Sequence, residues 1–293
     1  MNHLGALRVS AALLLVSESL LGQHGGTSSR HADLVDAGLI PVTLTLPRSA
    51  TEHSLGGVSV FDNGVEVTIR HRMSGSASVA VTALVHVNRR HAADWFQAKE
   101  DILHLLPQVN LDGRALVTAN VVRNAAGAFA KAGPDAPWVK SHRTFWSAAD
   151  WALARATFRT SRRIMLLVTD GDHRDPPVDT DDGVSGIGAD DFVRRLRNEH
   201  AVLYVIRLGS GKIPSQLRTW AAASGGTARD LDTIDQLPSA LQDIASELVA
   251  QIVLYVSPAV ADGRLHKLVV RSATPELAVR ATQTYQSGAG QKK

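Results

Sequence analysis

The chain has 293 residues, Lys+Arg 31 against Asp+Glu 28, and a formal charge of +3. At 44% hydrophobic and 20% charged it has the composition of a folded protein, too apolar and too evenly charged for intrinsic disorder. The charge excess builds no basic stripe for nucleic acid, and Cys 0 excludes disulfides, zinc–thiolate centres, iron–sulfur clusters and cysteine nucleophiles.

His3 and Arg8 precede an apolar run over 9–16, followed by small and polar residues up to Gly22. That order predicts an export signal over 1–22 and a secreted or periplasmic protein; a buried N-terminal helix is the alternative. The run is shorter than the roughly 20 apolar residues that a bilayer span needs, and no later segment is long and apolar enough. The polar stretch with Gly25-Gly26-Thr27-Ser28-Ser29 predicts a linker over 23–40.

A small β segment is expected over 41–72. It holds the alternating runs 41–46, 58–61 and 65–70, with Asp62-Asn63-Gly64 as a hairpin turn between the last two. From 78 to 250 strands and helices alternate. Strands are expected at 79–87, 115–122, 164–168 and 202–208. Helices are expected at 92–106, 144–157, 190–198, 214–223 and 233–250. Near-continuous apolar strands alternating with amphipathic helices mean an α/β domain with a mostly parallel central sheet flanked by helices. Strands return at 251–256, 266–271 and 277–285, expected to be antiparallel and to pack with the N-terminal segment, before a disordered tail over 286–293.

In such a sheet ligands bind at the carboxyl ends of the strands. Two strand ends carry polar groups: His86, Asn88, Arg89 and Arg90 after the first, and Asp170, Asp172, His173 and Asp175 after the central one. Parallel strands put both on one rim.

With these pieces in place the chain resembles the von Willebrand factor type A (VWA) domain, and more narrowly the exported VWA-related proteins of acidobacteria. The resemblance is carried by Phe61-Asp62-Asn63-Gly64, Gln97-Ala98-Lys99, the run Arg163 to Gly171, the Ser224-Gly225-Gly226 break and the trailing segments 266–270 and 277–281. It implies a Rossmann-like domain and an adhesion or scaffolding role. It also implies a metal-ion-dependent adhesion site (MIDAS): Asp-x-Ser-x-Ser after the first strand, a Thr on a later loop and an Asp after the central strand. These hard oxygens suit Mg2+, with one coordination position open to a partner's carboxylate. Here the first motif's positions hold His86, Asn88 and Arg90, the Thr position falls on Thr144 or Arg143, and only Asp170 matches. A guanidinium has no lone pair to give a cation. The expectation is a degenerate, metal-free site, with Arg90 or Arg89 either pairing with Asp170 or solvated on its loop.

The expected protein is therefore not an enzyme, takes no cofactor and binds an unidentified protein partner, without nucleic acid or a membrane span. The partner-binding rim would comprise His86, Asn88, Arg89, Arg90, Thr144, Asp170, Asp172, His173 and Asp175. Two alternatives stand beside it. A metal-dependent adhesion domain would hold Mg2+ or Ca2+ with Asp170 and the acidic loop (Asp172, Asp175, Asp179, Asp181, Asp182), although that loop lacks EF-hand spacing. A metal-dependent hydrolase would use His86, His173 and neighbouring carboxylates. Gly209-Ser210-Gly211 is neither a nucleophile elbow nor a phosphate loop.

Overall fold

The computed structural model describes residues 31–47, 57–74, 79–88, 97–98, 100–102, 104, 115–122, 145–155, 162–170, 188–273 and 279–287. The expected signal segment and the acidic loop beyond Asp170 lie outside these residues.

The α/β architecture follows from the apolar strands. β5 (Val79–Asn88), β6 (Ala115–Val122), β7 (Arg162–Thr169), β8 (Val202–Leu208) and β9 (Ala228–Leu231) form a sheet of order β6-β5-β7-β8-β9, every pair parallel. Both faces are covered, which is why β7 and β8 read as continuous apolar runs. On one face Val81, Ala83, Leu166, Tyr204 and Ile206 pack against Leu241, Ile244 and Leu248. On the other, Leu84, Met165, Leu167, Leu203 and Val205 pack against α1 (Phe145–Arg155), α2 (Ala189–Asn198) and α3 (Ser215–Ser224). Phe192, Val193 and Leu196 are the buried stripe of α2, at the spacing that its sequence predicts. α3 stops at Gly225, whose left-handed φ of 90° suits a residue without Cβ.

The flanking strands depart from the expected simple unit in an instructive way. β1 (Ile40–Thr45), β10 (Gln251–Val256), β4 (Ile69–Ser74) and β12 (Arg280–Ala281) make one four-stranded sheet, in the order β12-β1-β10-β4. β2 (Val58–Asp62), β3 (Val65–Val67), β11 (Leu265–Ser272) and β13 (Thr284–Gln286) make a second, in the order β13-β11-β2-β3. The sheets enclose Val42, Leu44, Val60, Leu254, Leu268 and Tyr285. Only Thr68 separates β3 from β4, and only Thr282 and Gln283 separate β12 from β13. At each side one bent segment thus passes from sheet to sheet, and the sandwich closes like a barrel. The Asn63-Gly64 turn has the positive φ angles (49° and 88°) of a two-residue hairpin loop.

Several expectations are corrected. Residues 31–36, inside the expected linker, are helical, and the His31 ring meets Tyr255 edge-on at 5.7 Å. The expected strand 277–285 is split, because its ends serve different sheets. The C-terminal strands, expected together as one antiparallel set, are also divided, β10 lying in one sheet and β11 in the other. Gln286 and Ser287 belong to the barrel rather than to a tail: Ser287 is buried and its N–H donates to the Arg264 carbonyl at 2.9 Å. The helix expected from Thr233 begins as a 3-10 turn over Ile234–Gln236. α4 proper is Leu237–Ala250, with Pro238 in its first turn, where a missing N–H costs nothing.

The α/β unit is an insertion in the barrel. The chain leaves from β4 and re-enters at β10, where Ser74 and Ile252 are direct partners. α4 runs into β10 without a loop. At that junction buried Gln251 donates to Thr45 Oγ1 (3.0 Å) and Tyr204 Oη (2.8 Å), and its Oε1 accepts from Arg162 at 2.9 Å. Arg162 also donates to the Leu248 carbonyl at 3.2 Å, and burial lowers its pKa to about 10. One amide side chain thereby ties a barrel strand to two strands of the parallel sheet.

Candidate functional site

The carboxyl edge of the parallel sheet is where strand register converts sequence into a site. His86 is the register partner of Asn120 on β6 and of Thr169 on β7; Thr169 partners Arg207 on β8, and Arg207 partners Asp230 on β9. In-register residues of parallel strands share a face, so His86, Thr169, Arg207 and Asp230 form a polar row across β5, β7, β8 and β9. The row two residues earlier is Thr118, Leu84, Leu167, Val205 and Ala228. The core gives way to polar groups within one step along the strands.

His86, Thr169 and Arg207 are buried. The His86 ring packs edge-on against Phe145 at 4.8 Å, and Phe145 continues to Trp146 at 4.7 Å and Trp220 beyond it at 5.3 Å. The Asp170 N–H donates to the His86 carbonyl at 3.2 Å, which places the aspartate at the tip of the central strand, beside His86 and half-exposed. Arg207 folds back over its own strand end, donating to the carbonyls of Gly209 (3.1 Å) and Ser210 (2.9 Å). Its Nε is buried and, among the described residues, has no hydrogen-bond partner. Gly211, at φ 142°, lies over the guanidinium, where a Cβ would collide with it. Asp230 accepts the Ile213 N–H at 2.8 Å and pairs with Arg218, fixing the far side of the same loop.

Of the residues predicted for the rim, the structure brings His86 and Asp170 together. Asn88 closes β5, with its side chain outside the description. Arg89, Arg90, Thr144, Asp172, His173 and Asp175 lie outside the described residues. The expected pairing of Asp170 with Arg89 or Arg90 therefore falls outside as well. Sequence reasoning missed Arg207. The available signal was its place one residue before the end of β8, as a lone charge in an apolar strand.

The described residues do not suit a divalent ion. His86 is sealed against an aromatic ring, Arg207 is a fixed cation, and Asp170 is the carboxylate at the tip of the central strand. Among the described residues no three His, Asp or Glu are grouped as metal ligands.

No family model matches the chain, and no curated protein matches it. Solved structures do resemble it. Proximal thread matrix protein 1 from the mussel byssus is 15% identical, with a TM-score of 0.40 over 73% of this chain and 50% of its own. The chain thus spans about half the length of that protein. A von Willebrand factor type A protein from Catenulispora acidiphila is 11% identical, with a TM-score of 0.38 over 83% of this chain and 75% of that one. The ArnB paralog VWA2 from Sulfolobus acidocaldarius is also 11% identical, with a TM-score of 0.35 over the same shares. The strand order and register given above, not these likenesses, define the fold as α/β with a closed antiparallel barrel at its base.

Proposed function

We propose that this chain is an exported, non-enzymatic VWA-like interaction module that engages a protein partner through the carboxyl-edge rim around Asp170, without a metal ion. The observation that carries this reading is the buried row of His86, Thr169 and Arg207. At the edge where the resembled family seats an ion among carboxylate and hydroxyl oxygens, this chain sets an imidazole packed on Phe145 and a guanidinium bonded to loop carbonyls. Such an edge is occupied by the protein's own groups. It offers Asp170 at the tip of the central strand as a contact point rather than a vacant coordination position. Export rests on the N-terminal segment. The non-enzymatic reading rests on the sequence, where Gly209-Ser210-Gly211 is not a nucleophile elbow.

The test is capture of envelope proteins by the mature chain and by its Asp170→Lys variant, each with Mg2+ and with chelator. The reading expects the same partner with Mg2+ and with chelator, lost in the variant. Capture that needs Mg2+, or micromolar calorimetric binding of Mg2+, Mn2+ or Ca2+ abolished by Asp170→Ala, would replace it with metal-dependent adhesion. Capture indifferent to Asp170→Lys would place the binding surface elsewhere.

A further inference from the structure

A second cluster of titratable groups lies in the barrel, remote in sequence from the rim. Asp62 ends β2 and is buried. Its Oδ2 accepts the Tyr285 hydroxyl at 2.6 Å and the Ala259 N–H at 2.9 Å, leaving Oδ1 to face His266 Nδ1 at 2.7 Å. The other ring nitrogen, Nε2, lies 3.0 Å from Asp262 Oδ1, which also accepts the Arg264 N–H and the Ser287 hydroxyl, both at 2.8 Å. A neutral imidazole carries one N–H, so satisfying both carboxylates takes the imidazolium.

We infer that His266 is a proton-operated clasp: charged, it ties buried Asp62 to surface Asp262 and pins the end of the C-terminal strand at Ser287; neutral, it frees that end. The groups facing the ring are Asp62 from β2, Asp262 and Arg264 from the turn before β11, and Tyr285 and Ser287 from β13 and the residue after it. The Arg264 guanidinium stands off in solvent, 4.0 Å from Asp262. Burial by itself would lower the His266 pKa, but the bonds to Asp262 and Asp62 outweigh it and the net shift is upward. Asp262 is held well below the carboxylate range, first by His266 and then by the Arg264 N–H and Ser287. Tyr285 is pushed up, by burial and then by Asp62, and remains a donor.

When the proton leaves, the remaining N–H stays with Asp62, which has no water to replace it. The Nε2 lone pair then faces a carboxylate oxygen across the former bond, and Asp262, which water can solvate, turns away. With it goes the anchor of Ser287 and Arg264. β13 has three residues and a single strand partner, β11; buried Tyr285 and packing on α2 keep the strand in place, so what loosens is its end at Ser287.

The experiment uses the full chain. Imidazole 15N and 13C shifts of His266 are followed from pH 5 to 9, with hydrogen exchange at the Ser287 amide corrected for intrinsic base catalysis. The clasp predicts an imidazolium that persists above the ordinary histidine value. It also predicts an opening constant at Ser287 that rises about tenfold per pH unit between that value and the titration of His266, then levels. Asp262→Asn should flatten the rise while the circular dichroism stays native. A His266 that titrates at or below the ordinary value overturns the inference, as does a rise unchanged in Asp262→Asn. If that variant fails to fold, the wild-type titration and exchange profile decide alone.

Discussion

Two regions of this molecule use histidine in opposite ways. In the barrel, His266 sits between two aspartates. Where the N-terminal helical segment meets the α/β unit, His31 and His200 sit among arginines. His31 is bonded to Tyr255, and burial, then Arg162, His200 and Arg163, lower its pKa to about 4. Burial and Arg163 bring His200 to about 4 as well. Burial disfavours the charge at all three rings, and only at His266 do the neighbours overturn it. Where carboxylates line the ring, folding is favoured by the charged form. Where burial is joined by guanidinium groups, folding requires the neutral form.

The largest way to break the first environment is Asp62→Ala, which strands the buried His266 and the Tyr285 hydroxyl. It should cost about 3–5 kcal/mol in urea denaturation at pH 6, where the imidazolium is otherwise paired. The second environment can be broken with acid. The folded pKa values of His31 and His200 lie below the unfolded 6.5, so their contribution is intact above pH 6.5 and is lost as pH falls toward 4. The fall should be at most about 1.4 kcal/mol per pH unit for each histidine, less where solvent screens the half-buried rings. His200 has a left-handed φ of 49° that asparagine tolerates, so His200→Asn should remove about half of that slope without disturbing the fold, as read by denaturation between pH 4 and 7. His266 has the reverse sign: its contribution is full below 6.5 and is lost as pH rises through its own raised value. Tyr285→Phe sharpens the comparison more gently. It deletes one charged hydrogen bond to Asp62 and should cost about 1.5–3 kcal/mol in the same assay. The smallest effect is expected of Arg163→Met, which removes a cation from both basic-side histidines. Their NMR titrations should move upward and the acid slope should begin at lower stability cost. An unchanged His31 titration would show that burial alone sets it.

The contrast also shows which contacts a sequence can announce. Phe192, Val193 and Leu196 signal α2 by spacing, and Asn63-Gly64 signals its hairpin by backbone chemistry. Both kinds of information lie within a few residues, and the structure follows them. β9 was not foreseen, since Ala228-Arg229-Asp230-Leu231 has neither an apolar run nor a clear alternation; it exists because β8 offers an open edge. At the rim, the strand ends disclosed His86 and Asp170, whereas Arg207 reads as an intrusion in an apolar strand until register places it beside Thr169. The clasp left no local mark. Asp62 looks like turn chemistry and His266 like a strand residue, and they are partners across 204 positions.

By itself the sequence determined the alternation of strands and helices, the faces that they bury and the polar residues that end the first and central strands of the parallel sheet. These are written in periods of two and 3.6 residues and in residue type. Only the tertiary structure decided that the flanking strands close into a barrel, that a polar row crosses four parallel strands and that one histidine lies between two aspartates. Those outcomes depend on register and on pairings between distant segments, which no local pattern encodes.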